Sequence, residues 1–111
     1  MPPAYLGEFE HLLLLTVLRL GPRAFGLDIA RALETRAERR VSRGALYTSL
    51  DRLEDKGLLR WTANAGGAAR DGMPRRLYTV TAAGRAALRD SRRVLLRMWR
   101  GIGPLLKDPT G

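Results

Sequence analysis

Val41-Ser42-Arg43-Gly44-Ala45-Leu46-Tyr47-Thr48-Ser49-Leu50-Asp51-Arg52-Leu53-Glu54-Asp55-Lys56-Gly57-Leu58 is the stretch whose reading decides the fold. Ser42 is a good N-cap, Val41 and Leu46 stand at the hydrophobic-staple positions, and Leu46, Leu50 and Leu53 form an apolar stripe at helical spacing. Gly57 supplies the stop. The spacing therefore predicts a helix from Arg43 to about Lys56. With the leucines turned inward, the outward positions include Arg43, Gly44, Tyr47, Thr48, Asp51 and Arg52. An Arg fork in the first turn of such a helix can meet a guanine edge, and Tyr47 and Thr48 can donate to phosphates. Gly44 costs about 1 kcal/mol of helix propensity and leaves room for a close approach. Asp51, Glu54 and Asp55 suit a solvated face, so contact with a polyanion is expected in the N-terminal half of this helix.

Working outward, Phe9, Leu13, Val17 and Leu20 recur at helical spacing between Glu8 and Leu20, and Gly21-Pro22 closes that first helix. Leu14, Leu15 and Leu18 lie on its other side and form a second apolar stripe, which calls for a partner. A short second helix is expected from Gly26 to Arg36, with Ile29, Ala30 and Leu33 inward. Downstream, Leu58 to Ala63 and Arg75 to Val80 have strand-like composition, and Asn64 to Pro74 between them is rich in turn formers. This is a hairpin with a long tip, with Trp61 in its first strand as domain core or wing base. Arg70, Arg75 and Arg76 outweigh the one Asp71 there. Thr81 caps a last helix, in which Leu88, Ser91, Leu95, Met98, Ile102 and Leu105 step by threes and fours like a coiled-coil seam. Gly101, Gly103 and Pro104 weaken its end, so the helix is expected to about Arg100. Its arginines (Arg85, Arg89, Arg92, Arg93, Arg97 and Arg100) read mostly as the solvated flank of that seam.

Composition narrows the function. At 111 residues the chain has the size of one domain, with about two thirds of its unfolded surface available for burial. Twenty Lys and Arg against 11 Asp and Glu give a net charge of +9, which favours polyanions. Only Lys56 and Lys107 are lysines, so Arg-favouring codon bias accounts for part of that excess. The absence of Cys excludes disulfides, thiolate metal sites and Cys nucleophiles, and points to an intracellular, cytoplasmic chain. His11 stands alone, which leaves no metal site to complete. No phosphate-binding glycine loop is present, and Gly66-Gly67 sits in a polar turn rather than before a helix. An enzyme is disfavoured for want of a nucleophile with its base, and no cofactor is expected. The Leu12 to Leu15 run is broken by Arg19, so neither a signal peptide nor a membrane span is expected.

Three helices followed by a hairpin is the order of a winged helix-turn-helix, in which the third helix enters the major groove and the hairpin lies over the neighbouring backbone. A generic small α+β domain has the same order, and the basic placement of the third helix and hairpin favours the former. The fold expected is α+β, mostly α: a winged helix-turn-helix domain over residues 1–80 and a C-terminal dimerisation helix and tail over 81–111.

The stretch Ser42 to Leu58 resembles the recognition-helix signature of PadR-type transcriptional regulators. Leu6-Gly7-Glu8-Phe9-Glu10 is similar to that family's first helix, and Gly72-Met73-Pro74-Arg75-Arg76-Leu77-Tyr78-Thr79-Val80-Thr81-Ala82-Ala83-Gly84 to its wing and entry into the last helix. The similarity spans roughly residues 6 to 88, and the single C-terminal helix resembles the short-type members. The resemblance implies a homodimeric repressor that reads an inverted repeat in double-stranded DNA, with Arg43, Tyr47 and Thr48 at the DNA and Arg75 and Arg76 on its backbone; the helix face and hairpin add Ser42, Gly44, Arg52 and Arg70 to the expected contacts. It gives Leu14, Leu15, Leu18, Leu88, Leu95, Met98, Trp99 and Ile102 to the dimer, and Met98 and Trp99 to a planar aromatic effector. One departure is Phe25-Gly26-Leu27 at the start of the second helix, where the family often carries aromatic hydroxyls; Phe25 is expected in the core. Two other readings remain: a protein-interaction module of winged-helix fold, and an aromatic small-molecule binding protein.

Overall fold

A computed structural model describes residues 6–64 and 75–107. The elements run α1 (Glu8–Leu20), α2 (Gly26–Ala37), α3 (Arg43–Asp55), β1 (Leu59–Asn64), β2 (Arg75–Val80) and α4 (Ala82–Trp99), with short 3-10 turns at Gly21–Arg23 and Gly103–Leu106. This is the expected mostly helical winged helix-turn-helix, with boundaries shifted by one or two residues.

Local chemistry explains the element ends. Ser42 accepts from the Ala45 N–H and Thr81 from the Gly84 N–H, so each hydroxyl satisfies one of the free donors of its helix. Glu8 and Glu10 in the first turn of α1 complement its positive end. Gly57, at φ 75°, takes the left-handed turn that leads from α3 into β1. α4 stops at Trp99, as the glycines that follow it predict.

The core is a leucine cluster under the helices. Leu13, Leu14 and Val17 of α1 meet Ile29 and Leu33 of α2 and the Leu46, Leu50, Leu53 stripe of α3, all at most 2% exposed. β1 and β2 pair antiparallel in the register Leu59↔Val80, Trp61↔Tyr78, Ala63↔Arg76. Tyr78 also donates its N–H to the Ala24 carbonyl at 2.9 Å, and Phe25 bridges Leu77, so β2 is held along both edges. Phe25 is 8% exposed, in keeping with a core role.

Two residues expected in the dimer stripe belong elsewhere. Leu14 is fully buried and Leu88 is 7% exposed, so neither has surface to give a second copy. The reason is that α1 packs against α2, α3, β2 and α4 at once, which widens its buried arc beyond one stripe. The first turns of α4 likewise lie in the core through Gly84, Ala87 and Leu88, so the expected division at residue 81 falls inside one packed body. His11 Nδ1 and Ser91 Oγ, 3.1 Å apart, extend the α1–α4 contact outward.

α4 enters the core at Gly84, where a Cβ would fall well inside van der Waals contact distance of the Leu58 carbonyl oxygen and press on Val80. Backbone cannot yield there as a side-chain tip can. Gly84→Ala should therefore cost about 1–3 kcal/mol and lower the melting temperature by several degrees, whereas Ala83→Gly on the exposed side should not produce a comparable loss through contact. An unchanged melting temperature for Gly84→Ala by circular dichroism would contradict the close approach.

Candidate nucleic-acid interface

α3 presents its first turns to solvent because its leucines are committed to the core. Ser42, Arg43, Gly44 and Thr48 are exposed together, and the space a Cβ would occupy at Gly44 is empty. Asp51 and Arg52 are exposed further along. Tyr47 is different: it is half-buried, and its ring lies across the start of α2 so closely that a Cβ at Gly26 would collide with its hydroxyl. Gly26 thus sets where the Tyr47 hydroxyl can sit.

Both ends of α3 are tied to the first turn of α1. Arg39, just before α3, pairs with Glu8 and lies 5.7 Å from the Phe9 ring centroid. Lys56, just after it, donates to Glu10 Oε2 at 2.6 Å. Arg52, one turn before Lys56, is exposed, and its charge adds to those that hold Glu10 ionised. Asp51 faces the wing.

The wing arginines stand on opposite faces because side chains alternate along a strand. Arg76 shares the inner face with Tyr78 and Trp61; its guanidinium lies 4.3 Å from the Trp61 ring centroid and 3.6 Å from Asp51 Oδ1 of α3. Arg75 turns outward with Leu77 and stacks 4.0 Å from the Phe25 ring centroid. Each aromatic offers its negative face to a cation, which orients the base of the wing. The Tyr78 hydroxyl is buried without a hydrogen-bond partner among the described residues, and burial raises its pKa. The neighbouring Arg76 is held above its usual value, first by Tyr78 and then by the charges of Asp51 and Glu54. Arg70 lies outside the described residues.

Of the expected contact residues, Ser42, Arg43, Gly44 and Thr48 come together on one exposed surface, with Tyr47 at its edge. Arg52 is exposed further along the same helix, and Arg75 and Arg76 diverge. Sequence reading omits the two aromatic platforms Phe25 and Trp61 and the Asp51 partner of Arg76. The hairpin register supplies the signal for one platform, since it sets Trp61 opposite Tyr78 and two residues from Arg76 on the same face. Elsewhere, Leu15 and Leu18 of α1 and Leu95, Met98 and Trp99 of α4 are 39–68% exposed, and Ile102 is intermediate. No helix among the described residues is long and apolar enough to cross a membrane.

A capped helix with a free first turn, set beside a two-stranded wing with stacked arginines, defines a winged helix-turn-helix domain. The transcriptional regulator PadR-like family model matches residues 14–90, more than half of the sequence, and the chain belongs to that family. It is 46% identical over 63 residues to Transcriptional regulator Rv3488 of Mycobacterium tuberculosis, a match covering 57% of this chain and 55% of that relative. The chain thus spans about half the length of that curated relative. Its fold is similar to a PadR family transcription regulator from Clostridium difficile R20291, with a TM-score of 0.70 and 22% identity over 91% of this chain and all of the other. It is also similar to F93 from STIV, a winged-helix DNA-binding protein, with a TM-score of 0.68 and 18% identity over 86% and 95% of the two chains.

The Glu10 to Lys56 tie sets a pH dependence. Burial disfavours the Glu10 charge, but the Lys56 hydrogen bond, the Gly7 N–H and the charges of Lys56 and Arg52 outweigh it and hold the carboxyl below its usual value. A lowered folded-state pKa contributes stability above the unfolded value that is lost as the pH falls through the folded one. Thermal melts from neutral pH down through the carboxylate range should show a smaller acid loss for Glu10→Gln than for the unaltered chain. Identical acid profiles would contradict the tie.

Proposed function

We propose that the chain is a sequence-specific DNA-binding transcriptional regulator, a repressor that binds an inverted-repeat operator in double-stranded DNA as a homodimer. The observation that carries this reading is the shared exposure of Ser42, Arg43, Gly44 and Thr48 on a rigid, capped helix in a chain of this family. Base reading belongs to Arg43 in the first turn, with Tyr47 and Thr48 on phosphate and Arg75 and Arg76 steadying the wing on the backbone. The net charge of +9 supports a large phosphate contribution and strong salt dependence.

The homodimer rests on the apolar surface that a single chain leaves open. Leu15 and Leu18 of α1 and Leu95, Met98 and Trp99 of α4 are large, exposed and apolar, and a second copy would cover them. Met98 and Trp99 are also the side chains this reading assigns to a planar aromatic effector, in a pocket formed by the two copies together.

Two measurements test the reading. Operator fragments selected from the source genome should be bound much more tightly than scrambled duplex. Arg43→Ala should narrow that difference by relaxing sequence preference, while Arg75→Ala should weaken binding to all sequences and reduce the salt slope by about one. Equal affinity of the unaltered chain for operator and scrambled DNA sinks the specific-reader claim. In sedimentation, the chain should run as a dimer at micromolar concentration and Leu95→Glu should shift it towards monomer; a stable monomer in both cases would give the exposed stripe another use.

A further inference from the structure

We infer that Asp51 is a built-in competitor for Arg76, its carboxylate standing in the free protein where a DNA phosphate would stand in the complex. This rests on the DNA-binding reading above and adds to it a residue that sets how tightly any DNA is held. The guanidinium of Arg76 has three neighbours on the inner face of the wing. Trp61 covers one of its faces at 4.3 Å, Asp51 Oδ1 meets one nitrogen at 3.6 Å, and the buried Tyr78 is the next residue along the same face of the strand. The Arg76 and Asp51 side chains are 43% and 57% exposed, so the pair lies within reach of a ligand from solvent.

Carboxylate and phosphate present the same chemistry to a guanidinium, two oxygens to a fork of N–H donors. Trp61 covers one face of the guanidinium and Asp51 stands at one of its nitrogens, so a phosphate arriving at that nitrogen meets the carboxylate. Asp51 belongs to the recognition helix itself, with Glu54 one turn further adding to the negative potential at Arg76. If Arg76 exchanges Asp51 for a phosphate, the attraction it gives up offsets part of what it gains, and the freed carboxylate is left beside the DNA backbone. Arg76 then contributes less to binding than an unpaired arginine, although it touches the backbone. The effect falls on DNA of every sequence, because phosphates carry no sequence.

The test is a double-mutant cycle on a scrambled duplex, read by fluorescence anisotropy over a series of salt concentrations with the unaltered chain, Asp51→Asn, Arg76→Ala and the double variant. Asp51→Asn should raise affinity by about two- to fivefold and steepen the log–log salt slope by no more than about 0.9. In the Arg76→Ala background the same substitution should have little effect on either. An equal gain in both backgrounds would show Asp51 to be a plain surface charge and overturn the inference, as would no gain at all. Circular dichroism confirms that each variant is folded, and Arg76→Gln carries the cycle if Arg76→Ala melts below the assay temperature. Absence of binding by the unaltered chain would overturn the DNA-binding reading and this inference with it, whereas binding without the coupled gain overturns this inference alone.

Discussion

The placement of β2 is the constraint on which the rest depends. Tyr78, near the middle of that strand, is 1% exposed, pairs with Trp61 on one side and donates its N–H to Ala24 on the other. That double attachment joins the hairpin to the segment between α1 and α2, and so locks the wing to the helix-turn-helix. Without it, a two-stranded ribbon of this length would be marginal in water. With it, the strand alternation becomes a fixed geometry: Arg76 faces α3 and Arg75 faces away.

A rigid frame of this kind can leave its functional surface polar. α3 is held from below by Leu46, Leu50 and Leu53 and at its two ends by the carboxylates of Glu8 and Glu10 on α1. Its first turn therefore needs no further packing, and Arg43, Gly44 and Thr48 remain free. The exposed ion pairs are individually worth little, but they position a helix whose burial supplies the energy. Asp51, an acid of α3, pairs with a wing arginine while its side chain stays 57% exposed.

Much of the fold was legible because its signals are local. The Ser42 and Thr81 caps, the Gly21 and Gly57 stops and the leucine periodicity of α3 each depend on a few neighbouring residues, and the element ends follow to within one or two positions. What was not legible is tertiary. Leu14 and Leu88 look like members of an outward stripe until four elements are seen to surround α1. The tight approaches of Gly26 to Tyr47 and Gly84 to Leu58 join residues 21 and 26 positions apart, and no periodicity announces them. The candidate site was legible as a helix face, but not as a set of partners. Arg76 already pairs with Asp51, and the platforms Phe25 and Trp61 appear only once the hairpin register is set.

The central claim is that DNA is met by the first turns of α3 and the base of the wing, and not by the arginine-rich outer face of α4. Backbone amide shifts followed by NMR during titration with a selected operator duplex test it most directly. The account predicts that the perturbed amides cluster from Ser42 to Thr48 and at Arg75 and Arg76. Perturbations centred on Arg89, Arg92, Arg93 and Arg97 of α4, with α3 unmoved, would contradict it.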